Sequence, residues 1–262
     1  SYKKYGKLPV KETETIPWYQ LCVDLIGPYK IPIKKYNKSK DVKKKFLTIW
    51  CVTMIDPATS WFEMKQIPNK QAATVAQAVE QTWLCRYPWP IKITYDKGSE
   101  FMAEFATMIV EEYGIKKSGM SPRNPQANSI LERIHQVIGN MIKTFKIYDR
   151  EDLAEQDPWS GILAAIMFCV RATYHTTLES TPAQLVFGRD SILPIQHQTD
   201  WKYIQNQKQK LINSNNKREN RKCISHEYKL GDMILVSRNK KSKHGERDKN
   251  GPYPIVQVNN NG

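Results

Sequence analysis

Residues 121–145 read SPRNPQANSILERIHQVIGNMIKTF, and the rest of the chain is understood from them. The first part reads as a loop, because its two prolines and two asparagines suit turns and cannot continue a helix. From Asn128 the pattern changes. Ile130, Ile134, Val137, Ile138, Met141 and Phe145 recur at helical spacing and form one apolar stripe. At about 100° per residue, Glu132, Gln136, Gly139 and Lys143 fall on roughly the opposite side. A carboxylate is therefore expected one turn into an amphipathic helix, facing away from the core, just after a loop. Taken alone, such a glutamate is an ordinary solvated residue. Its weight comes from what lies upstream.

The chain has 262 residues, enough for one domain with a sizeable core and a smaller appendage, and its 40% hydrophobic content is that of a globular protein. Five cysteines (Cys22, Cys51, Cys85, Cys169, Cys223) form an odd set with no C-x-x-C pair. Most lie in apolar runs, so reduced, buried thiols of an intracellular protein are expected. The longest strongly apolar run, Gly161 to Val170, is too short to cross a bilayer, and no signal peptide opens the chain. No membrane partner is expected. Ser1 in place of a methionine leads us to expect a fragment or a polyprotein product.

Net charge is +14, and its distribution matters more than its size. Residues 1–45 carry +8 and residues 202–249 carry +9, which leaves −3 for the remainder. Basic flanks around a slightly acidic centre are the footprint of a protein that grips phosphate backbones. A solubilising surface or a nuclear-import run would give a similar pattern.

Read in order, residues 1–17 are lysine-rich without a hydrophobic period, an extended arm. Trp18 to Gly27 (WYQLCVDLIG) reads as a strand closed by Gly27-Pro28. Asp24 lies inside it, where aspartate is disfavoured and needs a reason. Tyr29 to Lys45 is expected as a long loop with seven lysines from Lys34 onward. Phe46 to Asp56 and Trp61 to Ile67 complete an antiparallel meander. Gln71 to Tyr87 is helical, with Val75, Ala78, Val79, Thr82 and Trp83 on one face. Ile91 to Tyr95 is a short strand that delivers Asp96 at its C-terminal end, where ligands gather in open α/β sheets. A turn-forming Asp before Lys-Gly is the plainer account of that residue.

A helix over Glu100 to Tyr113, a last strand at Gly114 to Lys117, and a helix capped by Asp157-Pro158-Trp159 and running to about His175 follow. Thr181-Pro182 begins a short helix in Ser180 to Gly188. Residues 200–221 read as a basic linker helix, and His226 to Val258 returns to strand alternation, a small β module cut short at Gly262.

Asp24, Asp96 and Glu132 call for one explanation, with 35 residues between the last two. Hard divalent cations take oxygen ligands, and Mg²⁺ uses few carboxylates beside phosphate and water. Two such ions about 4 Å apart serve in-line phosphoryl displacement. An acidic trio inside a basic protein suits that chemistry.

These residues resemble a known family. Asp24 in CVDLIGPY, Asp96 in YDKGSEF and Glu132 in PQANSILERIHQ resemble the catalytic acids of retroviral and long-terminal-repeat retrotransposon integrases. TYHTTLESTPAQLVFGRD is similar to the segment after that core in gypsy-like elements, and YKLGDMILV…GPYPIVQV to their SH3-like C-terminal domain. The resemblance implies an α/β, RNase H-like core, a five-stranded mixed sheet flanked by helices, followed by a small all-β SH3-like barrel. It implies an arm over 1–17, a core over 18–195, a basic linker over 196–225 and an incomplete barrel over 226–262.

The implied activity is metal-dependent processing of DNA 3′ ends and transfer of those ends into target DNA. Asp24, Asp96 and Glu132 would be catalytic and would bind Mg²⁺ or Mn²⁺, as two ions, with no other cofactor. DNA contacts are expected at Lys34, Lys35, Lys43, Lys44, Lys45, Arg123, Gln136, Lys143, Arg218, Arg221, Lys222, Lys240 and Lys241. The partners would be double-stranded DNA, further copies of this chain and a chromatin factor, in the host nucleus and in cytoplasmic virus-like particles. The alternatives are an RNase H-like nuclease that never joins, or a domesticated integrase kept as a DNA-binding factor.

The sequence departs from the family in three places. No His-His-Cys-Cys zinc module is present, and the match begins just after it, so that module is expected to have been cut away or to lie on a missing upstream segment. Asn124 to Ser129 (NPQANS) replaces a loop that often reads HPQTNG. Lys97 stands where Asn or Arg is common.

Overall fold

The computed structural model describes residues 4–5, 13, 15–33, 45–95, 104–119, 129–144, 160–221, 223–224, 229–237 and 249–257. The chain divides into two compact units, Glu14–Gln205, and Ser1–Thr13 with Asn206–Gly262. Strand β1 (Lys4–Tyr5) belongs to the second of these.

The first unit is built on β2 (Gln20–Ile33), β3 (Lys45–Ile55) and β4 (Phe62–Ile67), joined as an antiparallel meander. Strand β2 runs past Gly27-Pro28 to Ile33, which corrects the expected stop at that dipeptide. The physical reason is a bulge between Ile26 and Tyr29. Gly27 there has φ +120°, and a Cβ would lie 2.7 Å from the Ile49 carbonyl oxygen, so only glycine fits. Residues 29–33, expected as loop, are thus strand; residues 34–44 lie outside the described set.

Helix α1 (Ala72–Val79) continues into a π-helical turn, Glu80–Leu84, and carries the chain to β5 (Lys92–Tyr95). The expected inward face is buried throughout: Val75, Ala78, Val79, Thr82 and Trp83. Strand β5 pairs parallel with β2. Helix α2 (Glu104–Thr107), itself extended by a π-helical turn at Met108–Glu112, returns the chain to β6 (Lys116–Gly119), parallel to β5. The result is a five-stranded mixed sheet in the order β4-β3-β2-β5-β6. Residues 96–103 between β5 and α2 lie outside the described set.

Alternation along β2 and β3 gives each sheet face its own core. Leu21, Val23, Val52 and Met54 pack with α1 and its π-helical turn through Val75, Val79 and Trp83. Cys22, Ile26, Cys51 and Ile55 pack on the other face against α3 (Ser129–Thr144) and α4 (Ser160–Ala172) through Ile138, Ile142, Ile162 and Ile166. Helix α5 (Pro182–Phe187) starts as read from the sequence. Thr181 and Gln184 form a reciprocal capping box, and Gly188 closes the helix in the left-handed region.

Helix α4 also closes the sheet's edge. Along β4, the Phe62 carbonyl accepts from Arg171 Nε at 2.8 Å, and the Met64 amide donates to Met167 Sδ at 3.2 Å. Between them Glu63 is 2% exposed yet ionic, paired with Arg171 and Arg86 and hydrogen-bonded by the Tyr87 hydroxyl. The Arg171 guanidinium lies 4.4 Å from the Trp61 ring centroid. Edge strands need such covering, and a buried carboxylate needs the cation.

Helix α6 (Trp201–Asn220) begins in the first unit, where Trp201 and Ile204 pack on Leu178 and Leu185. In the second unit β1 pairs parallel with β7 (Cys223–Ile224), so the N-terminal arm holds a strand that its composition does not announce. Strands β8 (Met233–Ser237) and β9 (Lys249–Pro254) form an antiparallel pair.

The cysteines differ from expectation. All five are free, but Cys22 and Cys51 alone are buried, while Cys85 is exposed at the end of the π-helical turn. Burial pushes the Cys51 thiol up to about 12. Among the described residues no helix is long and apolar enough to cross a membrane.

The Glu63 cluster makes a testable statement about stability. Arg171→Ala should lower the free energy of unfolding by about 3–5 kcal/mol, because it strands a buried charge. The double replacement Glu63→Met with Arg171→Met should recover most of that loss. Urea denaturation followed by tryptophan fluorescence measures both, and a single-variant loss below about 1 kcal/mol, the worth of an exposed ion pair, would contradict the account.

Candidate active site on strand β2

Asp24 stands where the pairing of β2 changes. On one side β2 runs antiparallel to β3, with Asp24 directly opposite Thr53. On the other side the parallel register with β5 ends at Cys22 opposite Thr94. Asp24 and Asp96 each follow that last pair by two positions. In the order β4-β3-β2-β5-β6, the crevice between β2 and β5 is the point where the chain reverses its direction of travel across the sheet. Open α/β sheets place ligands there, beyond the C-terminal ends of the strands.

The face matters as much as the end. Asp24 alternates in step with Cys22 and Ile26, which belong to the core under α3 and α4. Its side chain is partly buried, with 21% exposed. Asp24 Oδ1 accepts the Leu25 amide at 2.8 Å, and its backbone carbonyl accepts the Thr53 hydroxyl at 3.1 Å. The Thr53 Oγ1 lies 2.9 Å from His135 Nε2 on α3, and His135 Nδ1 lies 4.0 Å from Asp24 Oδ2. Burial pushes the His135 imidazole down to about 4, so at neutral pH the ring is uncharged and the contact with Asp24 is not an ion pair.

His135 and Thr53 are the residues sequence reasoning missed. The apolar stripe expected on α3 is rotated in the structure. Ile138 and Ile142 are buried with Ile134 and Met141 beside them, whereas Val137 is 47% exposed. His135, not Val137, completes the inner face. The signal available was spacing: His135 follows Glu132 by three residues, within one turn.

Other expected site residues are distributed as follows. Glu132 and Lys143 lie in α3 and Lys45 opens β3, with side chains outside the described set. Gln136 is exposed on α3. Arg218, whose Nε lies 3.7 Å from Glu219 Oε1, and Arg221 are exposed at the C-terminal end of α6 and just beyond it. Asp96, Lys34, Lys35, Lys43, Lys44, Arg123, Lys222, Lys240 and Lys241 lie outside the described residues. Among the described residues no three His, Cys, Asp or Glu side chains gather as a metal cluster.

The buried acid Asp56 does different work. It accepts from the amides of Trp18, Ala58 and Thr59 and from the Thr59 hydroxyl, tying off the turn between β3 and β4. Burial raises its pKa. Its ring of donors is closed on itself, and it is not a candidate for chemistry.

Comparison with known proteins gives this geometry its context. No protein-family model matches the chain. The retrovirus-related Pol polyprotein from transposon 412 of Drosophila melanogaster is 28% identical over 188 residues, 71% of this chain. The Pro-Pol polyprotein of feline foamy virus is 22% identical over 189 residues, again 71% of this chain. In each case the match spans 14% of the length of the relative. Among solved structures, a chain of the simian T-cell lymphotropic virus intasome, in complex with the PP2A regulatory subunit B56 gamma, superposes with a TM-score of 0.55 at 12% identity. That superposition covers 76% of this chain and 64% of the other, and it shows a shared fold. The chain is thus similar in sequence to a stretch of retroelement Pol polyproteins and shares its fold with an intasome chain.

Proposed function

We propose that the chain is the enzyme that processes the 3′ ends of an element's DNA and joins them to target DNA. The observation that carries this reading is the position of Asp24. It lies at the switch point of the sheet, two residues beyond the last β2–β5 pair, and in sequence Asp96 follows Thr94 of that pair by two positions. Helix α3, which carries Glu132, is held to the same strand pair by the Thr53–His135 contact.

The donor set fits a hard divalent cation. Carboxylate oxygens are what Mg²⁺ and Mn²⁺ take, and Asp24 keeps part of its carboxylate open to solvent. Asp24, Asp96 and Glu132 would hold two such ions, which when bound activate an attacking oxygen and stabilise the leaving one. The reaction itself is two in-line displacements. Water attacks a phosphorus near the element's end and frees a 3′-hydroxyl. That hydroxyl then attacks a phosphorus in the target, whose own 3′-oxygen departs.

The chain's part is to bind and orient. Arg218 and Arg221, together with the lysines of residues 34–45 and the basic residues beyond 221, would neutralise phosphates, while Gln136 offers a polar contact from the exposed side of α3. The β8–β9 pair would belong to an SH3-like barrel that adds DNA surface. Concerted joining of two ends needs two acidic trios, so the working form would be a multimer of this chain. Its place of work would be the host nucleus, with a chromatin factor as a further partner.

Asp24→Asn should lower joining of a paired-end donor to target DNA by at least about 100-fold, while DNA affinity stays within about 3-fold, because the substitution removes a charge-stabilising group without changing shape. A gel assay of joined product beside a fluorescence-anisotropy titration separates the two. End cleavage without joined product would favour the simple nuclease. Unchanged joining would exclude Asp24 from the chemistry.

Each phosphate contact contributes a slope of about −0.9 to log K against log salt. Arg218→Ala with Arg221→Ala should therefore flatten the salt slope of DNA binding by about 2 and weaken binding similarly for unrelated sequences. An unchanged slope would remove these two arginines from the interface.

A further inference from the structure

Apolar contacts press helix α3 onto the sheet through Ile138 and Ile142, but such contacts are non-directional. They hold a helix down without fixing where along a strand it sits. The Thr53 hydroxyl supplies the missing direction. It has one proton, and that proton goes to the Asp24 carbonyl at 3.1 Å. The 2.9 Å contact between Thr53 Oγ1 and His135 Nε2 must then take its proton from the imidazole. Nε2–H donates, Thr53 relays, and the Asp24 carbonyl accepts. Thr53 is fully buried, so water does not substitute for either partner.

Resting on the integrase reading above, we infer that His135 is a positioning residue: through Thr53 it fixes the place of helix α3, and with it Glu132, along strand β2 relative to Asp24. Glu132 lies within one turn of His135 on the same rigid helix. Divalent cations hold their oxygen ligands at a nearly constant reach, about 2.0–2.1 Å for Mg²⁺. A slide of about 1 Å in one ligand-bearing element is enough to cost on the order of 100-fold in reaction rate. Groups that orient metal ligands from behind are typically worth about 10–100-fold in metal affinity or activity.

The test uses the full chain and four substitutions, Thr53→Val, Thr53→Ser, His135→Asn and His135→Gln. Glutamine places an amide N–H near the position of Nε2, whereas asparagine places one near Nδ1. Mn²⁺ binding by titration calorimetry, joining activity, and metal-free thermal unfolding are measured for each. Thr53→Val and His135→Asn should weaken Mn²⁺ binding and joining by about 10–100-fold, with metal-free unfolding still cooperative. Thr53→Ser and His135→Gln should keep both within about 3-fold.

Since one relay is broken at two points, combining Thr53→Val with His135→Asn should be no worse than the poorer single variant. Retained function in His135→Asn with loss in His135→Gln would overturn the inference, as it would assign the effect to Nδ1. Wild-type Mn²⁺ affinity in all four variants, or additive losses in the double variant, would overturn it as well. A wild-type chain that neither binds Mn²⁺ nor joins DNA would overturn the integrase activity itself, and the relay with it.

Discussion

A carboxylate in the middle of a packed strand is the constraint on which the first unit turns. Burying an ionised carboxylate costs several kcal/mol unless it is paired, hydrogen-bonded or metal-bound. Asp24 alternates with Cys22 and Ile26, and so must face the layer formed by α3 and α4. The structure meets this with a local amide on Oδ1, a partly open side chain and the neutral ring of His135 alongside. Glu63 on the edge strand is paired with Arg171 and Arg86, which close an ionic cluster with a structural purpose. Two acids on opposite faces of the sheet, Asp24 under α3 and α4 and Glu63 on the side of α1, thus have different surroundings. Glu63 is paired with two arginines, and Asp24 has the neutral ring of His135 beside it.

That contrast organises the packing. The face under α1 holds an apolar cluster that includes Leu21, Val23, Trp83 and Ile93, with Glu63 at its β4 edge. The opposite face is apolar under Ile138, Ile142 and Ile166, yet gives way to the polar line Asp24–Thr53–His135. The second face thus carries a polar line next to the point where the β2–β5 pairing ends.

Much of this was legible in sequence where one residue type has one physical meaning. The meander, the inward face of α1, the Thr181-Pro182 helix start and the amphipathic α3 all follow from periodicity and capping. Gly27-Pro28 reads as a strand end because this dipeptide usually closes one, whereas here it forms a bulge within the strand. The π-helical turns after α1 and α2 have no sequence signature. The pairing of β1 with β7 is a long-range event two residues wide, below any periodic signal. On α3, Val137 fits an apolar stripe better than His135 does, and only the Thr53 hydroxyl across the interface makes the imidazole the better inward residue. Asp24 was conspicuous because aspartate is rare in strands; its two neighbours were not, because threonine suits strands and a lone histidine suits almost any place.

The central proposal is that Asp24, two residues past the last β2–β5 pair, is a ligand in a divalent-cation site. Crystals of the full chain grown with Mn²⁺ and measured near the manganese absorption edge test it most directly. An anomalous peak is expected about 2.0–2.2 Å from an Asp24 carboxylate oxygen, with Asp96 in the same coordination shell. Manganese peaks found only at sites that exclude Asp24 would contradict it.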